Sequence, residues 1–274
     1  MRLVTFAPPG GTPGVGVLHG DLVSVQEAPT MVAWLAGDGR RPTGATHPLA
    51  DVTLLAPVPD PPAVRDFYAF EGHVAAGWRR RGHPVPDAWY RAPAFYFSNP
   101  AATRGPGEPV TRPAATRMLD FELEIAAVIG VDGDIAGFTL MNDWSARDVQ
   151  REEMTVLLGP AKGKDFATSL GPWIATPDEL PYRDGRLHME AWVTVNGREV
   201  GRGDCARQHF TWPQIVAHAA RDTILRPGDV LGSGTLDRGC LLELGPLDGE
   251  RWIEPGDVVA LHAPGLGTLE TPVS

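Results

Sequence analysis

Between Leu119 and Ile125 the chain reads Leu-Asp-Phe-Glu-Leu-Glu-Ile, an alternation that sets apolar side chains on one face of a strand and three carboxylates, Asp120, Glu122 and Glu124, on the other. Such a strand ordinarily turns its polar face to water. This one is expected to run on to Ile129, and a second apolar run, Phe138-Thr-Leu-Met-Asn-Asp143, follows before Trp144-Ser-Ala-Arg147-Asp148-Val-Gln150. Ser145 and Asp148 have the Ser-x-x-Asp spacing of a helix start. Asp143 is therefore expected just ahead of a helix N-terminus, where backbone N–H groups and the dipole favour negative charge.

Short apolar runs at Leu3 to Phe6, Val15 to Leu18, Leu22 to Val25 and Val52 to Leu55, separated by Gly and Pro turns, predict strands, with one brief helix after Thr30. Pro57, Pro59, Pro61 and Pro62 mark a stiff linker, which divides the chain into a small β-rich domain over residues 1–60 and a body over residues 61–274. A helix is expected from Ala69 to Arg81, stopped by Gly82, and then a loop rich in Pro and aromatics through Asn99-Pro100. Leu187 to Val195, Asn196-Gly197 and Arg198 to Val200 predict a hairpin, and Trp212 to Thr223 a helix capped by Thr211. The phrase Pro-Gly-Asp-Val at Pro227 and again at Pro255 delivers an apolar strand each time. Strands outnumber helices without regular alternation, so the expected fold class is α+β, mostly β.

At 274 residues the chain is long enough for a large core, 43% of it is hydrophobic, and no segment reaches the roughly 18 consecutive apolar residues of a membrane span. A soluble globular protein with no membrane partner is expected. The N-terminus meets Pro8-Pro9-Gly10-Gly11 before an apolar core of signal-peptide length develops, and reads as a first strand. Cys205 and Cys240 are expected to be reduced thiols in a cytoplasmic protein. A formal charge of −10 opposes nucleic-acid binding, since only Arg79-Arg80-Arg81 forms a dense basic cluster. An acidic substrate stays compatible with that charge where a metal ion and a few cations reverse the potential inside a cleft.

Glu122 and Glu124 project to one side with β-carbons roughly 7 Å apart, a separation one divalent ion can span when a third carboxylate approaches. Solvated charges on a strand face are the bland alternative. Asp143 weighs against it, because Asn142-Asp143-Trp144 interrupts an apolar run where a solvated charge has no purpose. All-oxygen ligation selects Mg2+, Mn2+ or Ca2+ over zinc. A second cluster, Arg65-Asp66-Phe67-Tyr68-Ala69-Phe70-Glu71-Gly72-His73, carries a carboxylate, a phenol and an imidazole within about one helical turn. His73 suits a general base, although a surface or lid histidine fits the same position, and Asp66 suits a helix cap equally well. Gly159 and Gly163 stand too close for a phosphate loop, which leaves Lys164 as a point charge beside the carboxylates. Glu243, within the apolar phrase Cys240-Leu-Leu-Glu-Leu, is expected on a strand, where burial would demand a partner such as an imidazole.

Taken in order, these phrases resemble the fumarylacetoacetate hydrolase family, from about Asp66 to the C-terminus, and most specifically over Asn142 to Gln150 and Gly159 to Trp173. The resemblance implies a mixed β-roll body with a small β-rich N-terminal domain, commonly as a homodimer. It implies a divalent ion held by Asp66, Glu122, Glu124 and Asp143, with Thr168 in the metal shell. His73 with its partner Glu243, and Lys164, would be catalytic, while Tyr68, Tyr96, Arg147, Gln150 and Thr235 would contact substrate. The implied reaction is metal-dependent hydrolysis of a carbon–carbon bond in a β-diketo acid of the fumarylacetoacetate or acylpyruvate type. The same scaffold also suits decarboxylases, isomerases and dehydratases of 2-oxo acids, and a non-catalytic metal-stabilised binding protein is the reading from another class. The register of the substrate-binding arginine among Arg79, Arg80 and Arg81 is left open by the sequence.

Overall fold

The computed structural model describes residues 1–274. Its frame is a twelve-stranded sheet whose main path runs, in spatial order, through Pro42–Pro48, Leu22–Gln26, Gly14–His19, Arg2–Ala7, Thr168–Ala175, Ile135–Asp143, Leu123–Ile129, Val230–Gly232, Val64–Phe67 and Phe95–Ser98. A four-stranded sheet, in the order Arg198–Asp204, Glu190–Val195, Val258–Ala263 and Gly267–Pro272, packs against it. Five short helices complete the fold: α1 (Met31–Leu35), α2 (Glu71–Arg80), α3 (Arg147–Glu153), α4 (Trp212–Ala220) and α5 (Leu241–Leu244). The protein is thus mostly β, and none of its helices is long and apolar enough to cross a membrane.

The Leu123–Ile129 strand is central, and it is buried along its whole length. Leu123, Ile125, Ala127 and Ile129 enter the large core shared with Val193, Val259 and Leu261 of the second sheet. The opposite face changes character along the strand: Val128 joins Leu3, Val17 and Trp34 of the N-terminal region, Ala126 packs with Val64 and Met141, and Glu124 is left at the end. One strand therefore supplies three apolar clusters and one acidic end. Residues 1–60 extend the main sheet by strand pairing, since Leu3 lies opposite Ile174.

Several local expectations change. The alternating run from Leu119 is broken into Leu119–Asp120, paired with Ser145–Ala146, and Leu123–Ile129. At the break the Glu122 N–H donates to the Asn142 side chain at 2.9 Å in place of a ladder partner. Asp66 lies within the Val64–Phe67 strand, so the helix-cap alternative falls. Glu243 lies in α5 rather than on a strand. The Ser145–Asp148 cap does not form: α3 starts at Arg147 without a side-chain cap, Ser145 donates to the Asp143 carbonyl, and Asp148 accepts from Thr116 and from the Arg117 N–H. The aromatic loop before Asn99 contains the edge strand Phe95–Ser98, and Pro42–Pro48 is an exposed edge strand whose prolines hid it. Asn196 and Gly197 both take positive φ, as the hairpin turn demands, and Thr211 forms a full capping box on α4.

Candidate active site

Parallel pairing of Val64–Phe67 with Val230–Gly232 sets Asp66 beside Gly232, while antiparallel pairing of Leu123–Ile129 with Ile135–Asp143 aligns Leu123 with Asn142 and so brings Glu124 and Asp143 to the same end of the sheet. Asp66, Glu122, Glu124 and Asp143 each present an oxygen, and these oxygens lie within 4.8 Å of one another. The cluster is buried: Asp66 and Glu122 are 5% and 4% exposed, Glu124 and Asp143 0%. Close approach depends on glycine. A β-carbon on Gly232 would lie 2.5 Å from Asp66 Oδ1, and the Gly234 N–H donates to Asp66 and Glu124 at 3.2 Å each.

Four buried carboxylates repel one another unless cations or protons intervene. Lys164 Nζ donates to Glu122 and, at 2.6 Å, to Asp143, and the Tyr96 hydroxyl donates to the same Asp143 oxygen at 2.6 Å. Arg147 bridges Glu122 at 2.7 Å and Asp120 at 2.8 Å, with Gln150 accepting from it at 3.2 Å. Burial alone would raise Glu122, but Arg147 and then Lys164 outweigh it and hold this carboxyl below its usual range. Burial followed by the charge of Asp143 holds Asp66 well above the ordinary carboxylate range, and burial followed by Asp66 does the same for Glu124. Without a cation this pair keeps a proton. Glu124 Oε1 and Asp143 Oδ1 are buried with no hydrogen-bond partner. Two orphaned carboxylate oxygens within an all-oxygen donor set fit a hard divalent cation such as Mg2+, Mn2+ or Ca2+.

Beside the cluster, His73 in the first turn of α2 meets Glu243 of α5, Nδ1 to Oε1, at 2.6 Å. Asp237 accepts from the His73 N–H at 2.9 Å, and Glu243 from the Arg238 N–H at 3.0 Å, so the loop between them holds both halves of the pair. The Tyr68 ring meets His73 edge-on at 5.4 Å. Burial, then the Glu122 charge, pushes the Tyr68 phenol up to about 12, and burial with Asp143 raises Tyr96 as well, so both are proton donors near neutrality. The charge of Arg81, among the three arginines after α2, reaches Tyr68. For Lys164, burial opposes the charge, but Asp143 and Glu122 prevail and keep it an ammonium. Thr168 is buried opposite Asp143 with its hydroxyl 3.3 Å from Ser98, and Thr235 is buried next to Gly234. A cavity of about 240 Å³ lined by Tyr96, Ser98, Asn99 and Pro160, among others, opens beside the Tyr96 ring.

The expected site residues thus converge from strands and helices far apart in the chain. Sequence reasoning placed Asp120 on the acidic face but gave it no role; it accepts from the Leu241 and Leu242 N–H groups at 2.8 and 3.0 Å and so ties α5 to Arg147. Its signal was present in the alternation with Glu122 and Glu124. Asp237 and Asn142 were missed, because each acts by accepting from a backbone N–H that no residue spacing announces.

Fold and site define a class: mostly β proteins with a buried all-oxygen cation site beside a histidine–carboxylate pair. Residues 63–274 match the family described as fumarylacetoacetate (FAA) hydrolase C-terminal, and residues 1–57 match one described as Rv2993c-like, N-terminal. The chain belongs to the fumarylacetoacetate hydrolase family, whose members are enzymes that include hydrolases and isomerases. Protein Rv2993c of Mycobacterium tuberculosis (strain ATCC 25618 / H37Rv) is 33% identical over 242 residues, covering 84% of this chain and 82% of that protein. Fumarylacetoacetase of Oryza sativa subsp. japonica is 29% identical over 272 residues, covering 77% of this chain and 63% of the rice protein. The chain therefore spans less than two thirds of the length of that enzyme. The solved structure of 5-carboxymethyl-2-hydroxymuconate delta-isomerase from Mycobacterium smegmatis is 30% identical and superposes with a TM-score of 0.76 over 100% of this chain and 99% of its own.

Proposed function

We propose that this protein hydrolyses a carbon–carbon bond in a β-diketo acid of the acylpyruvate or fumarylacetoacetate type. The observation that carries this reading is the 2.6 Å contact between His73 Nδ1 and Glu243, next to four buried carboxylates. A divalent cation held by Asp66, Glu122, Glu124 and Asp143 would supply Lewis acidity toward the substrate's oxygens. With Nδ1–H committed to Glu243, His73 keeps Nε2 as the acceptor for a proton from water, and the carboxylate stabilises the imidazolium that results. The hydroxide so formed attacks the remote carbonyl, and the departing fragment leaves as an enolate. Lys164, held as an ammonium, and the phenol of Tyr96 offer donors to that developing charge. Arg147 fixes Glu122, and the Tyr68 ring borders the imidazole edge-on.

Isomerisation of a dienoic acid is the second reading, favoured by the full-length likeness to the mycobacterial isomerase. It needs no hydrolytic water, but it does need a proton moved from one carbon to another, which an imidazole paired with a carboxylate would also serve. An acylpyruvate supplied with Mg2+ or Mn2+ separates the two. Hydrolysis removes the ultraviolet absorbance of the diketone and releases two acids, whereas an isomerase converts a dienoate and leaves the diketone intact. His73→Ala should lower kcat by about 10²–10⁴-fold while binding the cation normally. Near-normal turnover of the variant would contradict the assigned base.

A further inference from the structure

We propose that Cys240, His73 and Glu243 form a second cation site, specific for thiophilic metals such as zinc or cadmium, whose occupancy switches off the proposed hydrolysis. Cys240 Sγ lies 3.9 Å from His73 Nδ1 and 3.7 Å from Glu243 Oε1, and the nitrogen and the oxygen lie 2.6 Å apart. In a tetrahedral zinc site, with Zn–S near 2.3 Å and Zn–N near 2.0 Å, ligand atoms stand roughly 3.3–3.6 Å apart. The observed triangle brackets that spacing, and only the His73–Glu243 edge must open. The three ligand atoms lie within 4.8 Å of one another, as do those of the oxygen cluster.

The donor chemistry separates the two sites. Sulfur and imidazole nitrogen suit zinc or cadmium, whereas four carboxylates suit magnesium or manganese. Cys240 and Glu243 stand three residues apart at the start of α5, on one side of its first turn, and α2 brings His73 against them. Cys205 shows the contrast: it is also buried, but it belongs to no such donor group. On binding, the thiol proton leaves to solvent, the His73 proton moves to Nε2, and the ion takes Sγ, Nδ1 and Oε1. His73 then carries a proton on the nitrogen that must accept one from water. The inhibitory consequence rests on the hydrolytic reading, but the binding site does not.

The test is a cadmium titration of the enzyme in excess Mg2+, following both the ultraviolet charge-transfer band of a cadmium–thiolate bond and turnover of an acylpyruvate. The band should rise to one equivalent as turnover falls. Cys240→Ser should remove the band and shift half-inhibition to roughly tenfold or more higher cadmium, while basal turnover is retained and Cys205→Ser changes neither signal. No band in the wild type, or a band unchanged in Cys240→Ser, overturns the site. A band without any diketone hydrolysis leaves the site standing and removes the proposed reaction alone.

Discussion

Asp66 and Glu124 carry the sharpest residue-scale consequence. Both are held above the ordinary carboxylate range, by burial first and by a neighbouring carboxylate second, so a proton occupies the pair until a cation replaces it. Apparent affinity for Mg2+ or Mn2+ should therefore rise with pH through that range, level off above it, and be accompanied by proton release. Calorimetric titrations in two buffers of different ionisation enthalpy measure that release, and an enthalpy independent of buffer would contradict it. The same raised values set the sign for stability. Without a cation the folded state binds the extra proton, so the stability it contributes is full below the unfolded pKa and lost as pH rises through the folded one. Glu122, Glu124 and Asp143 were legible in the sequence because a two-residue period and an interrupted apolar run are local signals. Asp66 entered as a ligand only through the family resemblance, since a parallel strand pairing across more than 160 residues of chain is what brings it to Gly232.

At the scale of elements, α2 and α5 decide whether the imidazole meets its carboxylate. Glu243 could not be placed correctly from its apolar neighbours, because Cys-Leu-Leu-Glu-Leu fits a buried strand and a buried helical turn equally well. What favours the helix is Asp120, whose oxygens accept from the Leu241 and Leu242 N–H groups, a contact that brings together residues about 120 positions apart in the chain and so leaves no local signal. The start of α2 is equally constrained. A β-carbon on Gly72 would sit 2.4 Å from the Asp237 carboxylate that accepts from the His73 N–H. Gly72→Ala should therefore displace His73 and lower kcat by about 10²-fold with cation affinity unchanged, since misplacement near 1 Å has that cost. Steady-state kinetics with a parallel metal titration checks it, and equal losses in both would show that the whole site had collapsed.

Across the whole molecule, the N-terminal strands and the body share hydrogen bonds and core. Leu3 pairs with Ile174, and Trp34 and Leu35 pack in the same cluster as Val128 and Ile174. Truncating Leu35 to Ala should lower the stability of the entire chain by about 2–5 kcal/mol, with one calorimetric transition before and after. Two separated transitions would show that residues 1–60 unfold on their own. The strand-rich class was legible from turn residues and alternation. The extension of one sheet through both regions was not, because pairing between distant strands leaves no periodicity in either. The formal charge of −10 is likewise offset locally, where Arg147 and Lys164 pair with the buried carboxylates. Everything assigned to this site depends on one divalent ion among the four carboxylates. Anomalous diffraction from crystals grown with Mn2+ tests that most directly: one manganese per chain is expected, with oxygens of Asp66, Glu122, Glu124 and Asp143 among its ligands at about 2.0–2.6 Å. Anomalous density absent from the cluster, or found only elsewhere, would contradict it.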